Sequence, residues 1–128
     1  MTSVEVPYSI ASALPSLTVL DITNEVKREL RASGYEDGIA YLTPLDDAAL
    51  VRVQERESGF FTDLEELLTR LVPQDERERE RLLCLLLGPR TEQVPFADGE
   101  LCLGQWQRIL LLGFERPSQP RWDLTLLG

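Results

Sequence analysis

The sequence predicts an α+β fold that spans the whole chain, and three patterns in it lead to that prediction. Short segments with alternating apolar residues, such as Val4 and Val6, are typical of strands. Apolar residues spaced by four positions, at Ile22, Val26 and Leu30, lie on one face of a helix. The last forty residues carry no helix-capping signals and favour antiparallel strands.

The first half of the chain predicts one helix among four short strands. The helix covers about residues 22–33, where Asp21 or Thr23 can cap its start and Gly34 suits the left-handed position after its end. The strands before it are expected at residues 4–8 and 17–19, and those after it at 39–42 and 50–54. Pro44 interrupts the third of these strands.

Two further helices are predicted in the middle of the chain. Ser58 is placed to cap the first of them, which ends at Pro73. Its broad apolar stripe predicts a well-buried helix and consists of Phe60, Phe61, Leu64, Leu67, Leu68 and Leu71. Asp75 and Glu78 have the spacing of a capping box for a shorter third helix, which closes at Gly88.

The charges at the start of this third helix alternate in sign over residues 75–81. On a helix this spacing predicts the ion pairs Glu76–Arg79 and Glu78–Arg81. After the helix, the Ala97-Asp98-Gly99 turn predicts a hairpin between strands at 94–96 and 101–103. Strands at 106–114 and 122–127 complete the expected antiparallel run.

Composition excludes several classes of function. The 128 residues include 22 acidic and 13 basic side chains, and a net charge of −9 disfavours nucleic-acid binding. No apolar run approaches the ~20 residues of a bilayer span and no signal peptide is evident, so we expect no membrane association. Cys84 and Cys102 are expected to be buried, reduced thiols of a cytoplasmic protein. Twelve arginines against one lysine and one asparagine are typical of a GC-rich or thermophilic source.

The chain contains no histidine. Ser-His-Asp triads, Cys-His dyads and His-ligated zinc are therefore impossible within it.

Two groups of motifs resemble the YjbQ family, whose small proteins are often labelled secondary thiamine-phosphate synthase. The first group is Asp21-Ile22-Thr23, Val26, Ser33-Gly34 and Asp37-Gly38-Ile39. The second is Leu86-Leu87-Gly88, Pro95, Asp98-Gly99, Leu101, Leu103-Gly104 and Trp106-Gln107. Between them, Ala48-Ala49-Leu50 and residues 63–73 fit the family's alanine-rich strand and its following helix. The resemblance covers about residues 4–128 and implies a single domain over residues 1–128.

For the fold, this resemblance implies an α+β sandwich with two or three helices that assembles as a homotrimer. Trp106 is expected to anchor the core. The apolar run at residues 109–112 implies a strand covered on both faces, either by the chain's own core or by a neighbouring subunit.

For the chemistry, the resemblance implies that this chain lacks most side chains of the family's histidine-based site. The family's first histidine falls on Leu45 or Asp46, and its asparagine–glutamate pair is at best Gln54-Glu55. The loop before Leu86 also lacks histidine. Gly113 replaces the family's glutamate, and Glu115 matches an acidic position two residues further on. Of the family's two closing arginines, Arg121 matches one and Asp123 lies near the other.

Four residues are therefore the candidates for ligand binding: Asp46, Glu115, Arg116 and Arg121. An arginine fork binds phosphate or carboxylate in a bidentate manner, which suits a phosphate-bearing small molecule. The alternative is a surface or intersubunit ion pair. Asp46, Asp47, Glu55 and Glu57 offer oxygen ligands for Mg²⁺ or Ca²⁺, but without a glycine-shaped loop we expect an acidic rim, no metal and no cofactor.

Three functions remain open at this point. The chain is a trimeric scaffold that has lost the family's histidine-based site and has a binding or structural role. Alternatively, it keeps weak thiamine-phosphate synthase-like activity that uses Arg116 or Arg121 and Mg²⁺. In the third case it is a subunit that assembles with an intact, histidine-bearing family relative.

Overall fold

The computed structural model describes residues 17–114 and 121–128. Seven strands and three helices occur in this part of the chain. In chain order they are β1 (Thr18–Asp21), α1 (Thr23–Ser33), β2 (Gly38–Pro44), β3 (Ala49–Glu55), α2 (Ser58–Leu71), α3 (Arg79–Leu86), β4 (Glu92–Ala97), β5 (Glu100–Leu101), β6 (Gln107–Gly113) and β7 (Trp122–Leu127). The expected strand at residues 4–8 lies outside the described residues.

The strands form two antiparallel sheets. The first has the order β1-β6-β3, and the second has the order β5-β4-β2-β7. In the first sheet Leu50 pairs with Leu112 and Arg52 with Leu110. In the second, β2 and β7 pair from Ile39 opposite Leu127 as far as Pro44 opposite Trp122. Pro44 is therefore the last residue of β2 and is still paired within the sheet. The two antiparallel sheets and three helices confirm the α+β prediction.

Two apolar cores lie on opposite faces of the first sheet. Between the two sheets, Ile109 and Leu111 pack with Val26 of α1 and with Trp122. On the other face, Leu110 and Leu112 pack with residues of α2 and α3, among them Phe61, Leu68 and Leu83. The strand at residues 109–112 is thus covered on both faces by the chain itself. The alternative in which a neighbouring subunit covers it is wrong, because α2 and α3 already occupy that position.

Helix α1 covers almost the predicted residues, but its N-cap is Ile22, which makes no side-chain cap hydrogen bond, so the predicted cap at Asp21 or Thr23 is wrong. The backbone N–H of Thr23 donates to Asp21 Oδ1 at 3.0 Å, and Gly34 adopts the left-handed conformation (φ 77°) that the residue after a helix end favours. Helix α2 starts at Ser58, but the cap is Glu57, whose carboxylate accepts from the N–H groups of Gly59 and Phe60, each at 2.8 Å. Ser58 is therefore a helical residue rather than the cap.

The start of α3 differs from the prediction. The helix begins at Arg79, four residues after Asp75, and no side chain caps it, so the capping box is wrong. Arg79 is buried and its Nε donates to the carbonyl of Val72 at 2.9 Å, which replaces the expected pair with Glu76. The second expected pair forms, with 2.7 Å between Arg81 Nη1 and Glu78 Oε1.

Helix α2 is less buried than its apolar stripe predicts. Phe61 and Leu68 face the first sheet and are buried, whereas Phe60, Leu67 and Leu71 are exposed. The apolar stripe of α2 contains two rows of side chains, and the first sheet covers only the row that includes Phe61 and Leu68. Helix α3 has the same character, because Leu83 is buried and Leu85 is 79% exposed. We call Leu67, Leu71, Leu82, Leu85 and Leu86 the exposed leucines of α2 and α3. No helix within residues 17–114 and 121–128 combines the length and apolar character that crossing a bilayer requires.

Candidate functional site

Asp46 and Arg121 meet where β2 and β7 separate. The ladder between these strands ends at Pro44 and Trp122, which places the residues beyond it side by side. The N–H of Leu45 donates to the carbonyl of Arg121 at 3.0 Å, and the N–H of Arg121 donates to Asp46 Oδ2 at 3.1 Å. Arg121 Nη2 lies 3.7 Å from Asp46 Oδ1. The structure thus brings together two of the four sequence candidates, whereas Glu115 and Arg116 lie outside the described residues.

Arg90 holds the same loop from the other side. Its Nε donates to the carbonyl of Ala49 at 3.0 Å, and its Nη2 donates to the carbonyl of Asp46. Its own carbonyl accepts from the N–H of Val51 at 3.0 Å. Sequence reasoning missed Arg90, although it follows closely after the Leu86-Leu87-Gly88 motif. We call Asp46, Arg90 and Arg121 the Asp46 corner.

An open depression of about 730 Å³ adjoins this corner and shares Arg90 with it. Asp47, Cys84 and Leu85 also line it, and the Cys84 thiol donates to the carbonyl of Asp47 at 3.6 Å. The remaining lining residues are Glu78, Arg81, Leu82 and Gly88. The depression therefore combines guanidinium and carboxylate groups with an apolar wall from α3.

The side chains at the Asp46 corner suit anion binding better than proton transfer. The chain has no histidine, so no imidazole supplies a group that titrates near neutral pH. The guanidinium of Arg121 is 64% exposed, and its distance from Asp46 is longer than a hydrogen bond. It can therefore turn towards a phosphate or carboxylate and bind it in a bidentate manner.

The carboxylates considered for a cation are not assembled. Glu57 is occupied as the cap of α2, and Glu55 lies at the end of β3. Within the described part of the chain, no three His, Cys, Asp or Glu side chains converge as a metal site would require.

Trp106 is not the core anchor that the sequence predicts. It is 67% exposed and lies in the turn before β6. The side chain of Gln107 closes this turn, because its Oε1 accepts from the N–H of Gly104 at 2.7 Å. The turn directs the tryptophan away from the core, and the buried tryptophan is Trp122.

A second charged cluster, absent from the sequence candidates, surrounds Asp21. This side chain is 3% exposed, and its Oδ2 accepts from Arg56 Nη1 at 2.7 Å and from Arg108 Nε at 2.8 Å. Burial acts to raise the pKa of Asp21, but hydrogen bonds from Arg108 and Thr23 outweigh it and lower this pKa below its ordinary value. The sequence marked Asp21 as a helix cap and as part of a family motif, but not as the centre of an ion cluster, because its arginine partners lie 35 and 87 positions away.

Comparisons with known proteins agree with this architecture. The model of the family described as "UPF0047 protein YjbQ-like" matches residues 12–128. A UPF0047 protein of Archaeoglobus fulgidus is 35% identical over 113 residues, which cover 80% of this chain and 86% of the relative. A UPF0047 protein of Methanothermobacter thermautotrophicus is 28% identical over 119 residues, which cover 86% of this chain and 82% of the relative.

Solved structures show the same fold. A hypothetical protein from Aeropyrum pernix K1 is similar with a TM-score of 0.77 and 29% identity, over 88% of this chain and 90% of that one. A conserved hypothetical protein from Thermus thermophilus is similar with a TM-score of 0.74 and 26% identity, over 96% of this chain and 100% of that one.

Proposed function

Since the chain belongs to the UPF0047 (YjbQ-like) family, we propose that it keeps the family scaffold as a binding protein for small phosphate-bearing molecules. The Asp46 corner is the proposed site. The observation that carries this proposal is the exposed guanidinium of Arg121, held beside Asp46 by strand pairing but only loosely paired with its carboxylate at 3.7 Å. In this proposal Asp46 positions Arg121 by accepting its N–H, and Arg121 contacts the anion.

We propose further that the family's histidine-based site has been lost from this chain. The whole sequence has no histidine, and Asp46 stands at one of the two positions onto which the family's first histidine falls. A carboxylate does not supply the neutral nitrogen base or the nitrogen metal ligand that an imidazole provides. The site therefore keeps a means of attracting phosphate and lacks the family's means of catalysis.

Titration with pyrophosphate by isothermal calorimetry tests the binding site. The unmodified protein should bind, and Arg121→Ala should weaken binding at least tenfold because it removes the proposed fork. Arg70→Ala is the matched control, since Arg70 is exposed in the last turn of α2 and should leave the affinity unchanged. Equal affinity for the Arg121→Ala variant would contradict the proposal.

The same variants separate binding from residual catalysis. Thiamine-phosphate formation is measured from the pyrimidine diphosphate and the thiazole phosphate with Mg²⁺. We expect no turnover from the folded protein. Turnover that disappears in Arg121→Ala would replace the binding proposal with a weak synthase-like activity.

We also propose that this single domain acts in the cytoplasm as a homotrimer. Cys84 and Cys102 are thiols, which suits a reducing compartment, but Cys84 is only partly buried and Cys102 is exposed, so the predicted burial of both is wrong. The exposed leucines of α2 and α3 suit an interface between subunits, because such apolar area is costly to leave in water.

Leu85→Glu should dissociate the assembly, as measured by light scattering, whereas Leu127→Glu on the exposed face of β7 should not. A monomeric unmodified protein would contradict this part of the proposal, unless mixing it with an intact, histidine-bearing relative gives a mixed trimer.

A further inference from the structure

A second cavity lies between α2 and the outer face of the first sheet, away from the Asp46 corner. Its volume is about 200 Å³. Leu50, Leu110 and Leu112 form its floor, and Phe60 and Phe61 of α2 form part of its wall. An engineered apolar cavity of about 150 Å³ holds a benzene molecule. The space under α2 is therefore large enough for one aromatic ring with a small substituent.

One cation lines this largely apolar cavity. Arg52 is opposite Leu110 in the β3–β6 ladder, so it occupies a position at which the sheet otherwise presents leucines to the helix. Gln54, two residues further along β3, is the other polar side chain of the lining. The lining contains no carboxylate, although the chain as a whole carries a net charge of −9.

The guanidinium of Arg52 is fixed by carbonyl groups. Its Nη1 donates to the carbonyls of Val51 at 2.9 Å and Pro89 at 2.7 Å, and its Nη2 donates to the carbonyl of Leu87. Leu87 is the residue that follows α3, so the negative end of this helix also favours the cation. These contacts set the position of the guanidinium and leave its positive charge without a carboxylate partner within residues 17–114 and 121–128.

The hydrogen-bond inventory of Arg52 leaves room for a ligand. A guanidinium has five N–H groups, and three are used by these carbonyls. The Nε–H and one N–H of Nη2 have no partner in the described residues. Arg52 therefore keeps two N–H groups with which it can donate to the oxygens of a carboxylate.

We propose that this cavity binds a small aromatic carboxylate, with the ring under α2 and the carboxylate on Arg52. Phe60 and Phe61 favour an aromatic body, because their rings already pack edge to face at 5.2 Å and can receive a third ring in the same way. Phe60 lines the cavity and is 42% exposed, so this side of the cavity faces solvent, from which a ligand can enter. This binding is independent of the function proposed for the Asp46 corner.

Phenylacetate is the probe, and phenylacetamide is its neutral isostere. Titrations followed by ¹H–¹⁵N chemical shifts should give a dissociation constant of about 1 mM for the acid, as expected for ten heavy atoms. The amide should bind at least tenfold more weakly. The shifts should concentrate in β3, β6 and the first half of α2. Equal binding of acid and amide, or shifts elsewhere, would overturn the proposal.

Arg52→Met tests the cation directly. It keeps much of the side-chain length and should lower the affinity for phenylacetate at least tenfold while leaving the affinity for phenylacetamide unchanged. Arg70→Met on α2, outside the cavity lining, is the control and should bind both as the unmodified protein does. Unchanged phenylacetate binding by folded Arg52→Met would overturn the proposal.

A second variant keeps the test decisive if Arg52→Met does not fold. Leu64→Trp fills the cavity from α2 and should abolish phenylacetate binding, and retained binding would overturn the proposal. Arg121→Ala should bind phenylacetate normally. Its result therefore separates a failure of this inference from a failure of the pyrophosphate site.

Discussion

Asp21 and Asp46 are both paired with arginine, but they differ in exposure and in the number and length of the hydrogen bonds that their carboxylates accept. The Asp21 carboxylate is 3% exposed and accepts three hydrogen bonds of 3.0 Å or less, from Arg56, Arg108 and the N–H of Thr23. The Asp46 carboxylate is 24% exposed, accepts one N–H at 3.1 Å, and lies 3.7 Å from the guanidinium of Arg121. One carboxylate is saturated and the other is not.

This difference separates a structural ion cluster from a candidate site. Asp21 in β1 joins α1, β6 and Arg56, the residue that follows β3. All three of its donors make short hydrogen bonds to it, so an incoming anion has little to offer them. Arg121 gains little from Asp46, since exposed ion pairs contribute ~0–1 kcal/mol. An incoming phosphate can therefore compete for it. The number of hydrogen bonds that each carboxylate accepts, rather than the presence of charge, distinguishes Asp21 from Asp46.

The largest effect is expected from removing the charge of Asp21. Asp21→Asn should lower the free energy of unfolding by about 2–3 kcal/mol, because it removes the buried negative charge that the guanidiniums of Arg56 and Arg108 share. Urea denaturation followed by circular dichroism measures this change. Asp75→Asn, at an exposed turn position, is the control and should change the free energy by less than about 0.5 kcal/mol. A similar small loss for Asp21→Asn would show that the cluster contributes no more than a surface pair.

The pH dependence of stability gives a smaller and more specific effect. The pKa of Asp21 is lower in the folded state than in the unfolded state, where an aspartate titrates near pH 3.9. Its contribution is thus complete above the unfolded pKa and is lost as the pH falls through the folded pKa. The stability difference between the unmodified protein and Asp21→Asn should be constant from pH 7 to 5 and should narrow below about pH 4. A difference that stays constant down to pH 2.5 would contradict the lowered pKa.

Local patterns allowed most of the fold to be predicted. The bounds of α1 followed from apolar spacing and Gly34, and β6 followed from its apolar run, because both signals depend on neighbours in sequence. The exposure of Leu67 and Leu71 did not follow, because a wide apolar stripe does not show which row the sheet covers. The burial of Arg79 against Val72 was likewise invisible in an alternating charge run.

The candidate site was predictable only where a motif marked its members. Asp46 and Arg121 were selected from family positions 75 residues apart, and the β2–β7 ladder brings them together. Their role in ligand binding stays a prediction. Arg90 and the arginines around Asp21 escaped notice because a lone arginine in a strand or loop carries no pairing signal. The burial of Trp106 was predicted wrongly for a related reason. A tryptophan after a glycine is typical of a core position, but the turn that Gln107 closes leaves this side chain exposed.

The smallest effect on stability is expected at Asp46, where the change should instead appear in binding. Asp46→Asn should cost less than about 1 kcal/mol, because the asparagine oxygen still accepts the N–H of Arg121 while the lost ion pair was loose and exposed. The affinity for pyrophosphate should rise several-fold, since no carboxylate then competes for the guanidinium. Asp47→Asn is the control, because Asp47 lines the neighbouring depression and should change the affinity less. A loss of 2 kcal/mol or more would place Asp46 in the same structural class as Asp21, and weaker pyrophosphate binding would show that its charge orients Arg121.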